Sequence, residues 1–497
     1  MGRPAVIVVG AGPVGQTAAL ALARWGVRVL LLDRLPARSA EGSRSICQQR
    51  DVIDLWAALG APQVVEEGLT WTTARTYYRD RELFSWRFEE SGPLPPFVNL
   101  SQARTEELLD AAIAAQPLIE VRWDHEVTRL EQDDDGVTVR CGDRVLRAPY
   151  VLACAGPRGQ GIRRDLGVTF DGESVEERFL ICDIRADLPG WEHERRFYFD
   201  PAWNPGRQVL IHPCPGSTFR IDWQVPPDYE ASPEDISRKV RQIIGERPYE
   251  LLWQSVYQFH SRIASRMRVG RVLLAGDCAH LVAPFGARGL NSGVPDAENA
   301  AWKLAFVLNG WAPPALLETY HDERHAAARE NLAVVADTMR FLVPDGEDGW
   351  KRRRDILERG SAAEVDSGRF AEPYWYVDSP LTTPSPERIF AGRPPKGANP
   401  PPVPGVIMPD LEIPGGRLRE LCRSGFLVLL GEMLDSRLFA QVLGKVTTAP
   451  LAVRELADLV EPQEAWLIRP DAHIAAIIPR AGTGTVAAAV SRALRLS

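Results

Sequence analysis

Gly10, Gly12 and Gly15 stand in "AVIVVGAGPVGQTAALALARWGVRVLLLDR", between a short apolar run and a helical repeat. A GxGxxG turn in that setting presents backbone N–H groups at the start of a helix, where a pyrophosphate binds. Gly10 serves the tight turn, Gly12 the close approach of the phosphates and Gly15 the packing of helix on strand. Asp33 closes the next strand, where a carboxylate accepts hydrogen bonds from an adenosine ribose. These residues predict a dinucleotide site and leave NAD(P) and FAD both open. A second constellation separates the two. In "RVLLAGDCAHLVAPFGARGLNSGVPDAENAAWKLAFVL", Asp277 ends a buried strand, and "PFGARGLN" leads into a helix N-terminus that can hold negative charge. A reduced flavin carries such a charge at its N1/O2 edge and a nicotinamide does not, which favours FAD.

The stretch around "AGD" resembles the GD motif of the flavin-dependent aromatic hydroxylases with the p-hydroxybenzoate hydroxylase fold. "GSRSICQQRDVIDLWAALG" at 42–60, "FVNLSQARTEELL" at 97–109 and "TYHDERHAAARENL" at 319–332 resemble further segments of that family in matching order. The subgroup it is most similar to comprises the phenylpropionate and aromatic polyketide hydroxylases with a thioredoxin-like C-terminal domain. The resemblance implies that Arg44 and Gln102 contact the FAD phosphates or ribityl chain and that Asp277 binds a cofactor hydroxyl. It further implies that Gly289, Leu290 and Asn291 meet the flavin ring edge through backbone groups, with Arg34 and Pro284 completing the cofactor-binding set. NADPH or NADH would serve as transient reductant, oxygen would add at flavin C4a, and the resulting hydroperoxide would hydroxylate a phenolic or polycyclic aromatic substrate. Such chemistry needs a dry, apolar pocket with few polar handles. His212, Trp223, Phe259, His260 and Phe285 are the candidates for its wall.

The elements that must position these residues are legible in outline. "AVIVV" and "VRVLLLD" are buried strands around a helix, the start of a βαβ unit. From about 178 to 260, "ERFLICDIRADL", "RRFYFD", "RQVLIHPCP" and "FRIDWQVP" alternate apolar and polar residues, as antiparallel strands do. A capped helix starts after Ser232 with Pro233 at its first position. The expected class is α/β and α+β. A Rossmann-like FAD-binding domain occupies 1–175, with insertions belonging to an antiparallel substrate domain at 176–265. The FAD-binding domain resumes at 266–375, a Pro-rich linker covers 376–404, and a thioredoxin-like domain occupies 405–497. "GTGTVA" at 482–487 repeats the glycine spacing with no strand after it and reads as a helix start.

Composition excludes several classes. The 497 residues carry a formal net charge of -8, which argues against nucleic-acid binding. The one basic run, "WKRRRD" at 350–355, reads as a solvated helix face. The seven cysteines are scattered without CxxC or zinc spacing, so no metal site is expected and a reduced, cytoplasmic protein is. No leader and no membrane-spanning run is evident. A thioredoxin-like tail with Cys422 as its only cysteine lacks the dithiol pair, leaving a structural role or homodimerisation.

One position departs from the family pattern. The family's third motif places an Asp-Gly pair after the strand ending near 153, and here the pair is Ala155-Gly156. The missing carboxylate is expected to affect reduction by the nicotinamide more than the fold, which leaves two alternatives beside the hydroxylase: a same-fold flavoprotein with a non-hydroxylating redox or rearrangement activity, and a silent FAD-binding scaffold.

Overall fold

The computed structural model describes residues 3–39, 45–87, 92–344, 346–360, 373–393 and 400–496. Its central sheet has six strands in the order Arg268–Val269, Val272–Leu274, Tyr150–Ala153, Val6–Val9, Val29–Leu32 and Ile119–Arg122, the last five mutually parallel. These strands are short, with Val6–Val9 and Val29–Leu32 buried at every position, because helices and other sheets cover both faces. Parallel pairing brings the carboxyl ends of Val9, Leu32, Ala153 and Leu274 to one edge of the sheet. Gly10, Asp33, Ala155 and Asp277 follow those strand ends within three residues, so four segments far apart in sequence emerge side by side. Ligand sites of open parallel sheets form at this edge.

The opening helix, Pro13–Arg24, and the long helix, Arg288–Leu308, cross against each other at this edge. A side chain at Gly293 would come within 2.7 Å of Val14 and 3.0 Å of the Gly276 backbone, so the two helix starts and the "AGD" turn interlock. Asp296 secures the turn from beneath: its carboxylate accepts hydrogen bonds from the Gly276 N–H (2.9 Å), His280 (2.7 Å) and Arg324 (2.6 Å).

An eight-stranded platform forms the second layer. Its inner strands are Phe170–Ala186, Thr218–Val225, Gln208–Cys214 and Glu194–Phe199, antiparallel neighbours as the alternation predicts. Two strands from early in the chain, Thr73–Tyr78 and Arg81–Arg87, extend it, the first pairing parallel with Glu194–Phe199. His280–Leu281 adds to its far edge. The platform therefore reaches beyond 176–265 at both ends. Helix Pro233–Ile244, capped by the Ser232 side chain on the Asp235 N–H, covers one face. Residues Leu180, Cys182, Val209, Ile211, Phe219, Ile221 and Trp223 fill the space beneath it. The other face is turned toward the glycine edge.

The C-terminal region has a sheet ordered Leu451–Glu455, Phe426–Leu430, Ala465–Ile468 and Ile474–Ile478, with Ala465–Ile468 antiparallel to both its neighbours. Trp302 and Phe306 of the long helix share a core with Phe426, Val428, Val486 and Val490 of this region. Residues 376–393 are not a free linker: Leu381 is fully buried, the Thr383 N–H donates to the Ala475 carbonyl, and the Tyr376 N–H donates to Gly405. They pack because apolar and aromatic residues among the prolines give this segment something to bury. The basic run also differs from a purely solvated face, since Arg353 is buried over the rings of Trp350 and Phe199. All seven cysteines are buried and reduced. Among the described residues, no helix is long and apolar enough to cross a membrane and no side-chain group could hold a metal ion.

Candidate functional site

A single cavity of about 620 Å³ runs from the glycine turn to the platform. Gly12, Pro13 and Val14 line one end, Asp277 and the loop Pro284–Leu290 its middle, and the inner face of the platform the other end. Two helix N-termini open into it. The opening helix starts at Gly12 and the long helix at Ala287, and neither has a side chain capping its free N–H groups. Two positive dipole ends facing one cavity suit an elongated ligand with a pyrophosphate and a ring edge that becomes anionic. At Gly12 an added Cβ would meet no protein atom within 4 Å, so the turn leaves that side of the backbone clear for a ligand. The donors and the clearance fit FAD.

Gly10, at φ +102°, adopts a conformation that only glycine takes easily, and its carbonyl fills the space where a Gly15 side chain would be. Asp33 accepts the Ala11 N–H at 2.8 Å and the Leu35 N–H at 2.9 Å, tying the glycine turn to the end of its own strand. Arg34 is exposed beside it. Gln102 reaches the cavity from the start of helix Gln102–Ala114, accepting from the Ser45 N–H and donating to Glu106. Arg44 lies outside the described residues. Pro284, Gly289 and Leu290 line the cavity. Asn291 does not: it accepts the Gln49 N–H at 2.9 Å and donates to the Cys47 carbonyl at 2.9 Å, holding strand Cys47–Gln49 against the long helix.

Of the proposed wall residues, His212, Phe259, His260 and Phe285 line the cavity, and Phe179, Phe259 and Phe285 form an aromatic cluster with centroids 4.7–6.1 Å apart. Trp223 is a correction. It is fully buried under helix Pro233–Ile244, on the opposite face of the platform. Period-two alternation assigns its immediate neighbours in sequence, Asp222 and Gln224, to the face that Trp223 does not occupy. The spacing alone did not reveal Arg38, whose guanidinium donates to the Ala11 carbonyl at 2.6 Å and binds Asp110 through two nitrogens, bracing the glycine turn from outside. Cys47 and Cys154 line the cavity, but burial pushes the Cys47 thiol up to about 12 and raises Cys154 as well, so neither offers a thiolate.

A family model described as "FAD binding domain" matches residues 3–335. This chain belongs to that FAD-binding family. Among curated members, it is 34% identical over 485 residues to rifampicin monooxygenase of Streptomyces venezuelae, covering 94% of each chain. It is 33% identical over 371 residues to the 3-(3-hydroxy-phenyl)propionate/3-hydroxycinnamic acid hydroxylase of Mycobacterium sp. (strain JLS), where the match covers 72% of this chain and 63% of that protein. Solved structures are also similar to this chain. The flavin-dependent monooxygenase PieE in complex with FAD and substrate superposes with a TM-score of 0.87 at 25% identity, covering 100% of this chain and 99% of the other. Aklavinone-11 hydroxylase with FAD and aklavinone superposes with a TM-score of 0.80 at 25% identity over the full length of both chains.

The position of Asp277 in the cavity wall makes its carboxylate a direct test of cofactor binding there. Asp277→Ala removes a carboxylate from the middle of the cavity without disturbing Asp296 below. Retained FAD after gel filtration is expected to fall at least roughly tenfold, in line with a lost charged hydrogen bond of about 1.5–3 kcal/mol. Full retention, measured by released flavin fluorescence, would show that Asp277 is not a cofactor ligand.

Proposed function

We propose that this protein is an FAD-dependent monooxygenase that hydroxylates a phenolic or polycyclic aromatic compound, with NADPH or NADH as reductant and molecular oxygen as co-substrate. The single observation that carries this reading is the continuity of the cavity, from the uncapped helix end at Gly12, past Asp277, to an aromatic-lined pocket under the platform. Its relatives named as rifampicin monooxygenase and aromatic-acid hydroxylases support the same class.

Bound FAD would supply two-electron reduction and oxygen activation. The chain's residues hold, orient and shield. The helix end at Gly12–Val14 would bind the pyrophosphate, Asp33 the ribose and Asp277 a cofactor hydroxyl. The Ala287–Leu290 helix start would face the ring edge that becomes anionic on reduction. Phe179, Phe259, Phe285, Ile181, Leu210 and Phe197 make the platform end apolar, which excludes water from the reacting centre. The sheet order of the C-terminal region supports a thioredoxin-like unit with no dithiol, since its sole cysteine, Cys422, is fully buried. Its role in this reading is structural.

The test is direct. Purified protein is expected to carry FAD, and its NAD(P)H consumption should rise when a suitable phenol is added. Bound flavin that stays oxidised under excess NADPH and NADH with every phenol tried would falsify the hydroxylase reading.

The Ala155-Gly156 pair favours a second reading, a flavoprotein of the same fold with a different redox or rearrangement activity. Ala155 is half-buried at the end of strand Tyr150–Ala153, beside the cavity-lining Cys154 and Gly156. Ala155→Asp is expected to speed flavin reduction by NAD(P)H several-fold in stopped flow. An unchanged or slower rate would show that the missing carboxylate does not limit reduction.

A further inference from the structure

Two cross-strand rows on the cavity face of the platform carry its chemistry. One runs Ile181, Asp222, Leu210, Phe197 and Thr76 across five neighbouring strands, each residue directly opposite the next. All five line the cavity, and Asp222 is the only ionisable side chain among them. The adjacent row runs Asp183, Arg220 and His212. Arg220 is committed within that row, donating to both Asp183 carboxylate oxygens at 2.8 Å. Asp222 therefore lies beside Arg220 without being its salt-bridge partner. The Asp222 Oδ1 atom is buried with no hydrogen-bond partner, an expensive arrangement for a carboxyl group unless a ligand completes it.

The neighbours set its protonation. Burial pushes the Asp222 carboxyl up to about 7. Arg220 opposes the rise, Asp183 adds to it and Arg195 opposes it. His212, on the facing strand, is driven the other way: burial, then Arg195 and Arg220, hold its pKa well below the ordinary value. His212 is thus a neutral hydrogen-bonding group rather than a base. Asp277, the other carboxylate of the cavity wall, belongs to the cofactor part in the reading above.

We propose that Asp222 is the general base for the substrate: its carboxylate accepts the hydrogen bond of an aromatic hydroxyl and takes that proton as oxygen is delivered to the ring. The proposal rests on the reading that the platform end of the cavity holds the aromatic substrate. The phenolic O–H bond breaks, its electron pair stays on oxygen and enriches the ring, and Asp222 becomes a neutral carboxylic acid. Asp222 is reset when the second oxygen atom of O2, reduced with the electrons from NAD(P)H, takes up that proton and a second one from solvent and leaves as water. The ring carbon that gained oxygen releases its own hydrogen as a proton to the phenolate oxygen, and the ring becomes aromatic again. A base titrating near neutrality is matched to this task. The substrate so selected is a phenol whose hydroxyl enters between Ile181 and Leu210, with the neutral His212 as a second hydrogen-bonding partner.

The experiment uses FAD-loaded protein and 4-nitrophenol, whose phenolate absorbs visible light. Two interacting acids that share one site lose their protons in two macroscopic steps. In the wild type, the visible band of bound 4-nitrophenol is expected to titrate in two steps from acid to alkaline pH, and in Asp222→Asn in one. In turnover with an accepted phenol, Asp222→Asn should lower kcat for product by about 10²-fold or more, with product per NAD(P)H reduced and the pH limb near 7 lost. Asp222→Glu should restore part of the rate and return a limb. One-step titration in the wild type, absence of saturable 4-nitrophenol binding to fully FAD-loaded protein, or an Asp222→Asn variant that keeps both limb and coupling overturns the proposal. Failure of the flavoenzyme reading is separable, because it shows as missing FAD or absent flavin reduction before any phenol is added.

Discussion

Gly15→Ala is expected to lose its FAD and much of its stability. The added Cβ would sit 1.8 Å from the Gly10 carbonyl oxygen and 3.0 Å from its carbon, and both are backbone atoms that cannot rotate aside. Relief requires the glycine turn to move off the Val6–Val9 strand end, which carries the helix N-terminus with it. Overpacking of this kind costs about 1–3 kcal/mol or more, and as lost binding energy that is about 10–100-fold in FAD affinity. Gly12→Ala provides the contrast, because its Cβ meets no protein atom within 4 Å and points to space a ligand would fill. Gly12→Ala should keep the wild-type melting temperature of the FAD-free protein and bind FAD more weakly. Gly15→Ala should lower both. Equal melting temperatures for the two FAD-free variants would show that the turn is softer than its packing indicates.

Glu323→Ala is expected to be the most destabilising single change in the C-terminal half. Glu323 is 2% exposed and receives hydrogen bonds from Lys303 Nζ at 2.7 Å, Asn299 at 2.7 Å, Ser379 Oγ at 2.5 Å and both terminal nitrogens of Arg469 at 2.6 and 2.9 Å. Those partners come from the long helix, the packed segment after 373 and the C-terminal sheet, so one carboxylate joins three parts of the molecule. Removing it leaves the fully buried Lys303 without its carboxylate partner and Arg469 with Asp471 alone, at a loss of about 3–5 kcal/mol. Burial already brings Lys303 down to about 8 against the pull of Glu323, which shows how little solvation it has. Chemical denaturation should show the shift, and Glu323→Gln should fall between the variant and the wild type.

The same group sets an acid dependence. Burial would raise the Glu323 carboxyl, but Arg469 and Lys303 outweigh it and hold the group well below its ordinary value of 4.5. A carboxyl with a depressed folded-state pKa stabilises fully above its unfolded value, and the contribution is lost as pH falls through and below it. Wild-type stability should therefore decline below about pH 4.5, with a shallower decline in Glu323→Gln. An identical acid limb in both proteins would assign the acid sensitivity to other carboxylates.

Local features of the site were legible because their causes are local. The glycine turn follows from backbone crowding between residues five apart, and the Ser232–Pro233 helix start from a side-chain cap and a residue without an N–H. The alternation in "FRIDWQVP" correctly predicted a strand with two distinct faces. It did not say which face met the cavity, since both are covered, one by a helix and the other by the site. That is why Trp223 was proposed for the wall and its neighbour Asp222 was not. The Asn291 side-chain hydrogen bonds to Cys47 and Gln49 were not legible for a related reason, since they depend on a strand more than 240 residues away in sequence.

The amino-acid order by itself determined that a helix begins on a glycine turn, that Asp33 ends the next strand, and that Asp277 ends another far along the chain. Tertiary structure alone decided that these ends lie side by side, because parallel pairing of Val6–Val9 with Val29–Leu32 and Tyr150–Ala153, and of the latter with Val272–Leu274, carries all four carboxyl ends to one edge. Folding also brought strands Thr73–Tyr78 and Arg81–Arg87 onto the platform and packed the proline-rich segment against the C-terminal sheet. These outcomes depend on pairings between distant segments, whose energy comes from burial shared across elements and leaves no periodic trace in any one of them.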